Sequence, residues 1–93
     1  MKRFETSNLM DEKNIPGVYF YYNKRGDRLY TGRAHKVKNR LYAAYYGRAD
    51  YATIPSKRQL RKQIYYYDAV YKALHEAIKH EHKQKHKLKF NVL

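Results

Sequence analysis

Near the start of the chain, two runs of strand-forming residues flank a turn, and no other feature limits the fold as tightly. Val18-Tyr19-Phe20-Tyr21-Tyr22 is β-branched and aromatic, Asn23-Lys24-Arg25-Gly26-Asp27 supplies turn formers, and Arg28-Leu29-Tyr30-Thr31 resumes the pattern before Gly32. This pattern predicts a β-hairpin. A two-stranded ribbon is at best marginal in water, so a further strand would be needed to support it.

Beyond the hairpin, Ala34, Val37, Leu41 and Ala44 recur at helical spacing with Lys36, Lys38 and Arg40 between them, predicting a basic helix of about three turns. Gly47 to Pro55 reads as a loop, and Ser56 as the N-cap of a short helix from Lys57 to Lys62. The next segment has two readings. Leu60, Ile64, Tyr67, Tyr71, Leu74 and Ile78 suit one long helix, whereas Gln63-Ile64-Tyr65-Tyr66-Tyr67 has strand propensity; periodicity alone tips toward helix. In either reading Asp68 is a natural cap, and Val70, Ala73, Leu74, Ala77 and Ile78 predict a helix through about Glu81. Residues 1–14 are polar and aperiodic and are expected to form an arm or frayed helix, ahead of a single domain over 15–93.

Composition limits the partners. The 93 residues suit one small core; they contain no Cys, which removes disulfide scaffolds and thiolate metal sites. There is no apolar run long enough to span a bilayer and no signal-peptide core, so the chain is expected to be cytoplasmic and not membrane-bound. Residues 1–31 hold 6 basic and 4 acidic side chains against 15 and 4 in residues 32–93, so a net +11 falls on the last two-thirds. Such an excess is the electrostatic footprint of a polyanion-binding face, nucleic acid before anionic membrane. Lys36, Lys38, Arg48, Lys57, Arg58 and Arg61 are the candidate phosphate contacts. The 12 Tyr can stack on splayed bases, although half-buried packing is the ordinary role of each one taken alone. His75, His80, His82 and His86 match no familiar zinc spacing and read as a basic tail.

Taken in order, these segments resemble the GIY-YIG nuclease superfamily, nearest in look to the N-terminal nuclease domain of the excision-repair nuclease subunit. Gly17-Val18-Tyr19 stands at the Gly-Ile-Tyr motif, and Tyr30-Thr31-Gly32 at Tyr-Ile-Gly with Thr in place of Ile. Arg40 falls on the family's essential Arg, and Lys89-Phe90-Asn91-Val92 is similar to its closing Lys-Tyr-Asn-Val. The resemblance implies an α+β fold, a small three-stranded antiparallel sheet flanked by helices, with Gln63 to Tyr67 as the third strand.

It also implies a metal-dependent DNA endonuclease. Mg²⁺ or Mn²⁺ would be held by one Glu, a chemically sensible arrangement because Mg²⁺ often takes only one or two protein carboxylates. Glu76 is favoured as that ligand on its spacing from the third strand, with Glu81 as the alternative carboxylate. Arg40 would clamp the scissile phosphate with its planar fork. Tyr19 or Tyr30 would act as general base or position the water, and a phenol needs a nearby cation or metal to do so at neutral pH. Arg33 or His35 could supply that cation, and Gly32, Tyr45 and Asn91 are further supporting candidates. Tyr45 comes one position after Ala44, which occupies the spacing where the family has a Tyr or His. DNA is the implied partner, with a targeting protein or second subunit to direct it; sequence leaves the oligomeric state open. The alternative is a nucleic-acid-binding module on the same scaffold without the chemistry, and behind it a basic adaptor protein.

Overall fold

The computed structural model describes residues 1–72, in the order β1 (Lys2–Arg3), α1 (Thr6–Leu9), β2 (Gly17–Tyr22), β3 (Arg28–Ala34), α2 (Val37–Tyr46), α3 (Asp50–Thr53), α4 (Pro55–Arg61) and β4 (Tyr66–Tyr71). Strands β2 and β3 form the predicted hairpin, with Tyr19 opposite Gly32 and Tyr21 opposite Tyr30. Its turn is held by Asn23, whose side-chain oxygen accepts from the amides of Arg25 and Asp27 at 3.0 and 2.9 Å, the local Asx bonding that favours this residue in turns. The second strand runs past Gly32 to Ala34, so α2 begins at Val37 and not at Ala34.

The sheet has four antiparallel strands in the order β1-β4-β2-β3, where three were expected. The added strand comes from the segment read as an arm. Lys2 and Arg3 pair with Tyr67 and Tyr66 on the outer edge of β4, and Leu9 of α1 is fully buried. Burial of one Leu contributes about 2 kcal/mol, and Phe4 meets Tyr21, Tyr45 and Tyr67 edge-on, but two isolated apolar anchors make no period in the sequence, and polar contacts supplement them. Glu12 is buried, accepting from Lys2 Nζ at 2.7 Å and from the hydroxyls of Tyr67 and Tyr71. Lys38 Nζ donates to the Met10 carbonyl at 2.8 Å, joining the same segment to α2.

The strand after α4 is Tyr66–Tyr71, later than the expected Gln63 to Tyr67. Gln63 and Ile64 are used to finish α4, their amides donating to the carbonyls of Leu60 and Arg61. Asp68 is therefore mid-strand and not a helix cap. Its carboxylate accepts from the Tyr22 hydroxyl at 3.0 Å and pairs with the N-terminal ammonium at 3.3 Å, which satisfies a charge that a strand would otherwise disfavour. Val70 is likewise in the strand, and the remainder of the helix predicted through Glu81 lies outside the described residues.

One sheet face carries Tyr19, Tyr21, Tyr30 and Tyr67 into a core shared with Leu9, Val37, Leu41, Ala44, Tyr51 and Leu60. The other face groups Val18, Phe20 and Tyr22 with Tyr66. Gly47 ends α2 in the left-handed conformation at φ 66°, which glycine adopts without steric cost. The expected loop after it contains the short α3, and α4 starts on Pro55, whose fixed φ and missing N–H suit the first helical turn; Ser56 is inside the helix and does not cap it.

Candidate active site

The two glycine-tyrosine motifs meet because of their register. Tyr19 crosses β3 directly over Gly32, and a Cβ at that position would overlap the Tyr19 ring at Cζ and Oη and crowd the Tyr30 ring. Only glycine permits this approach, which leaves the Tyr19 and Tyr30 centroids 6.1 Å apart and brings Tyr21 to 5.2 Å from Tyr19. Thr31, the departure from the family motif, points to the opposite face against Phe20. Its buried hydroxyl has no partner among the described residues, and it takes no part in the phenol cluster.

A fourth phenol joins from α3. The hydroxyls of Tyr51 and Tyr21 lie 3.5 Å apart. Burial, reinforced by the neighbouring phenols, pushes Tyr19 and Tyr21 well above the usual tyrosine range. Tyr51 is raised too, by burial, although its neighbouring phenols Tyr21 and Tyr19 and the charge of Arg40 pull the other way. These phenols are held neutral at physiological pH.

Tyr30 has a different neighbour. Lys57 of α4 is 5% exposed, donates to the Tyr30 hydroxyl at 3.3 Å, and places its ammonium 4.8 Å from the Tyr30 ring centre and 5.2 Å from that of Tyr51. Lys57, a candidate phosphate contact in the sequence, is thus buried, with its ammonium among phenols. Its signal in the sequence was the spacing to Leu60, three residues on, which puts both on the buried face of α4.

Arg40 projects from α2 beside these groups. It lines an open cleft of about 500 Å³ with His35, Lys36, Asn39, Asp50 and Tyr51, and its charge is felt at both Tyr19 and Tyr51. His35 and Lys36 are therefore in the cleft. Arg33 is not, because it pairs with Val18 and so takes the opposite sheet face from Tyr19.

The other expected residues among those described lie outside this cleft. Tyr45 packs edge-on against Phe4 at 5.6 Å and Tyr46 at 5.1 Å, away from Arg40, while Ala44 is fully buried in the core. Arg61 donates from Nε to the Ala44 carbonyl at 2.8 Å and from Nη2 to the Tyr45 carbonyl at 2.6 Å, satisfying the end of α2. Lys38 is held by Met10, whereas Arg48 and Arg58 are exposed. Glu76, Glu81 and Asn91 lie outside the described residues.

For a divalent ion, the described residues contain no group of three His, Cys, Asp or Glu that could hold it. Among the described residues the cleft carries one carboxylate, Asp50, beside Arg40, His35 and Lys36, and Mg²⁺ is often held by only one or two protein carboxylates.

This arrangement, a hairpin with phenols crossed over a glycine and an arginine helix behind it, has the fold of the GIY-YIG endonuclease domains. Among solved structures it is similar to the GIY-YIG N-terminal endonuclease domain of UvrC from Thermotoga maritima. The magnesium-bound form matches at 22% identity over 92% of this chain and 93% of that one, with a TM-score of 0.72. A tyrosine-to-phenylalanine point mutant bound to its catalytic divalent cation matches at 22% identity over 94% and 93%, with a TM-score of 0.73. An asparagine-to-alanine mutant, also cation-bound, gives 21% over 94% and 93% and a TM-score of 0.73. No family model and no curated relative matches the sequence, so the likeness is one of fold. Among the described residues no helix is long and apolar enough to cross a membrane.

Proposed function

We propose that the chain is a divalent-metal-dependent DNA endonuclease domain that hydrolyses phosphodiester bonds. The observation that carries this reading is the Lys57 ammonium on the Tyr30 hydroxyl, next to a cleft lined by Arg40. A buried ammonium on a phenol beside the cleft is more than phosphate binding requires, and supports a site for chemistry. An ammonium favours the ionised form of a phenol it contacts, and so makes Tyr30 the better proton acceptor of the two motif tyrosines. Tyr19, kept neutral by burial, would instead donate and position.

In this reading Arg40 grips two oxygens of the scissile phosphate from α2, with Lys36 and His35 on the flanking backbone. Tyr30, as its phenolate, takes a proton from the attacking water as the water oxygen adds to phosphorus, one P–O ester bond breaks, and the departing oxygen takes up a proton from solvent. Glu76, or Glu81 in its place, would hold Mg²⁺ or Mn²⁺, which when bound supplies charge stabilisation at the phosphoryl oxygens. The similarity in fold to UvrC domains bound to a catalytic divalent cation supports this assignment of the metal.

The test is Mg²⁺-dependent nicking of supercoiled plasmid by the wild-type chain and by Tyr30→Phe, Arg40→Ala, Glu76→Gln and Glu81→Gln, with DNA binding measured alongside. Nicking should fall about 100-fold or more for Tyr30→Phe, the scale of a lost general base, with binding nearly unchanged. Loss in only one of the two Glu variants names the metal ligand. A wild-type chain that binds DNA and never nicks it with Mg²⁺, Mn²⁺ or Co²⁺ would instead be a nucleic-acid-binding module on this scaffold.

A further inference from the structure

We infer, building on the DNA-cleaving reading above, that Tyr46 and Arg48 form a receptor for one unpaired DNA base beside the cleft. Tyr46, the last residue of α2, is 49% exposed, a large aromatic surface to leave in water. Its orientation is nonetheless fixed. The ring lies parallel to Tyr42 at 6.0 Å and 6°, meets the edge of Tyr45 at 5.1 Å, and has the Arg48 guanidinium 4.9 Å from its centre. Behind it, Arg61 is pinned to the Ala44 and Tyr45 carbonyls, which secures the end of the helix that carries the ring.

Tyr46 borders a hollow of about 380 Å³ with Tyr51, Arg58, Arg61 and Lys62, and none of the residues around it is acidic. Tyr51 also lines the Arg40 cleft, so the two spaces share a wall. Arg40 and Tyr46 are both on α2, six residues apart, so a strand held at Arg40 would need to run about 9 Å along the helix to meet Tyr46. Cations alone would ask only for phosphate, and an apolar protein partner would be repelled by none but drawn by none of them. The ligand that answers both is a polyanion with flat aromatic faces. In duplex DNA those faces are stacked on one another, so the base must be unpaired or splayed out. It would enter between the phenol and the guanidinium, replacing the present cation–π contact by a Tyr–base–Arg stack.

Binding is measured by fluorescence anisotropy without divalent metal, using a labelled oligothymidylate and an abasic phosphodiester strand of equal length. Tyr46→Ala should weaken binding of oligothymidylate about tenfold, the scale of one lost base stack, and leave the abasic strand unchanged. Tyr46→Phe should stay within about twofold of wild type, since the ring face is kept. Arg48→Ala should weaken both strands and lower the salt slope by about one. An unaltered affinity in Tyr46→Ala, or an equal fall for both strands with the melting curve preserved, would overturn the inference. Because no metal is present, base stacking without plasmid nicking would leave the receptor standing and remove the endonuclease reading; nicking with no base-dependent loss in Tyr46→Ala would do the reverse.

Discussion

Beside the cleft, Tyr30 and Tyr51 surround a buried cation, Lys57; along β4, Tyr67 and Tyr71 surround a buried anion, Glu12. Both clusters solve the problem of a charge inside a small domain with the same side chain, used in opposite senses. Around Lys57 the Tyr30 hydroxyl accepts. Around Glu12 both phenols donate, and burial together with the carboxylate pushes Tyr67 far up and Tyr71 up to about 12. Burial also works against the Glu12 charge, but the hydrogen bonds from Lys2, Tyr67 and Tyr71 outweigh it and hold this carboxyl below its ordinary range. The anion cluster thus fixes protons in place, which suits a fastening. The cation cluster leaves an acceptor poised at a cleft, which suits chemistry.

Replacing Lys57 should break the comparison most visibly. In Lys57→Met the Tyr30 hydroxyl loses its cation while the side chain keeps its length, and plasmid nicking should drop about 10- to 100-fold. The rise of rate with pH should also move to higher pH, a change that loss of packing alone would not produce. Raising the pH should then recover part of the rate. If Lys57→Met nicks DNA like wild type at every pH, Lys57 is a packing residue and the base must be sought elsewhere.

Glu12→Gln should separate fastening from chemistry. The variant keeps the shape but not the charge, leaving Lys2, the buried Tyr67 and the half-buried Tyr71 with a poorer acceptor, and should be about 1–3 kcal/mol less stable in urea unfolding. Its nicking, measured where the protein is fully folded, should not change. The pH dependence has a definite sign. A carboxyl held below its ordinary value of 4.5 lends stability that is present above that pH and lost as the pH falls through its folded value. Wild type should therefore lose stability below about pH 4.5 more steeply than Glu12→Gln.

The two clusters also differ in how far they could be read from sequence. Tyr19, Tyr30, Gly32 and Arg40 were legible because an ordered motif fixes their register, and strand alternation then dictates that Tyr19 and Tyr30 share a face. Lys57 was legible as a basic residue but not as a buried one, since charge counting assigns every Lys to the surface. Tyr51 stands in a segment whose Gly, Asp and Pro content reads as loop, although it forms a turn of helix that returns a phenol to the core. Glu12 was invisible: an acid in a polar, aperiodic stretch looks like an arm, and its value depends on β4 partners more than fifty residues away, Tyr67 and Tyr71. Asp68 misled for the complementary reason. Its propensity marks a helix cap, and only Tyr22 and the chain terminus, both distant in sequence, make it acceptable within a strand.

Tyr71→Phe is the finest probe of the difference, with the smallest expected effect. It removes one of three donors to Glu12 and the oxygen that accepts from the Lys13 amide at 2.8 Å, on the exposed side of the cluster, so a loss of about 1 kcal/mol is expected. The sign reverses relative to Glu12. A phenol raised from 10.0 to about 12 contributes stability that is whole below pH 10 and lost between there and about 12, as the unfolded chain ionises first. Tyr71→Phe should therefore flatten part of the alkaline decline in melting temperature while leaving nicking at neutral pH intact. A fall in nicking as deep as that of Lys57→Met would mean that the anion cluster supports the cleft directly, and the division of labour between the two sets of phenols would have to be given up.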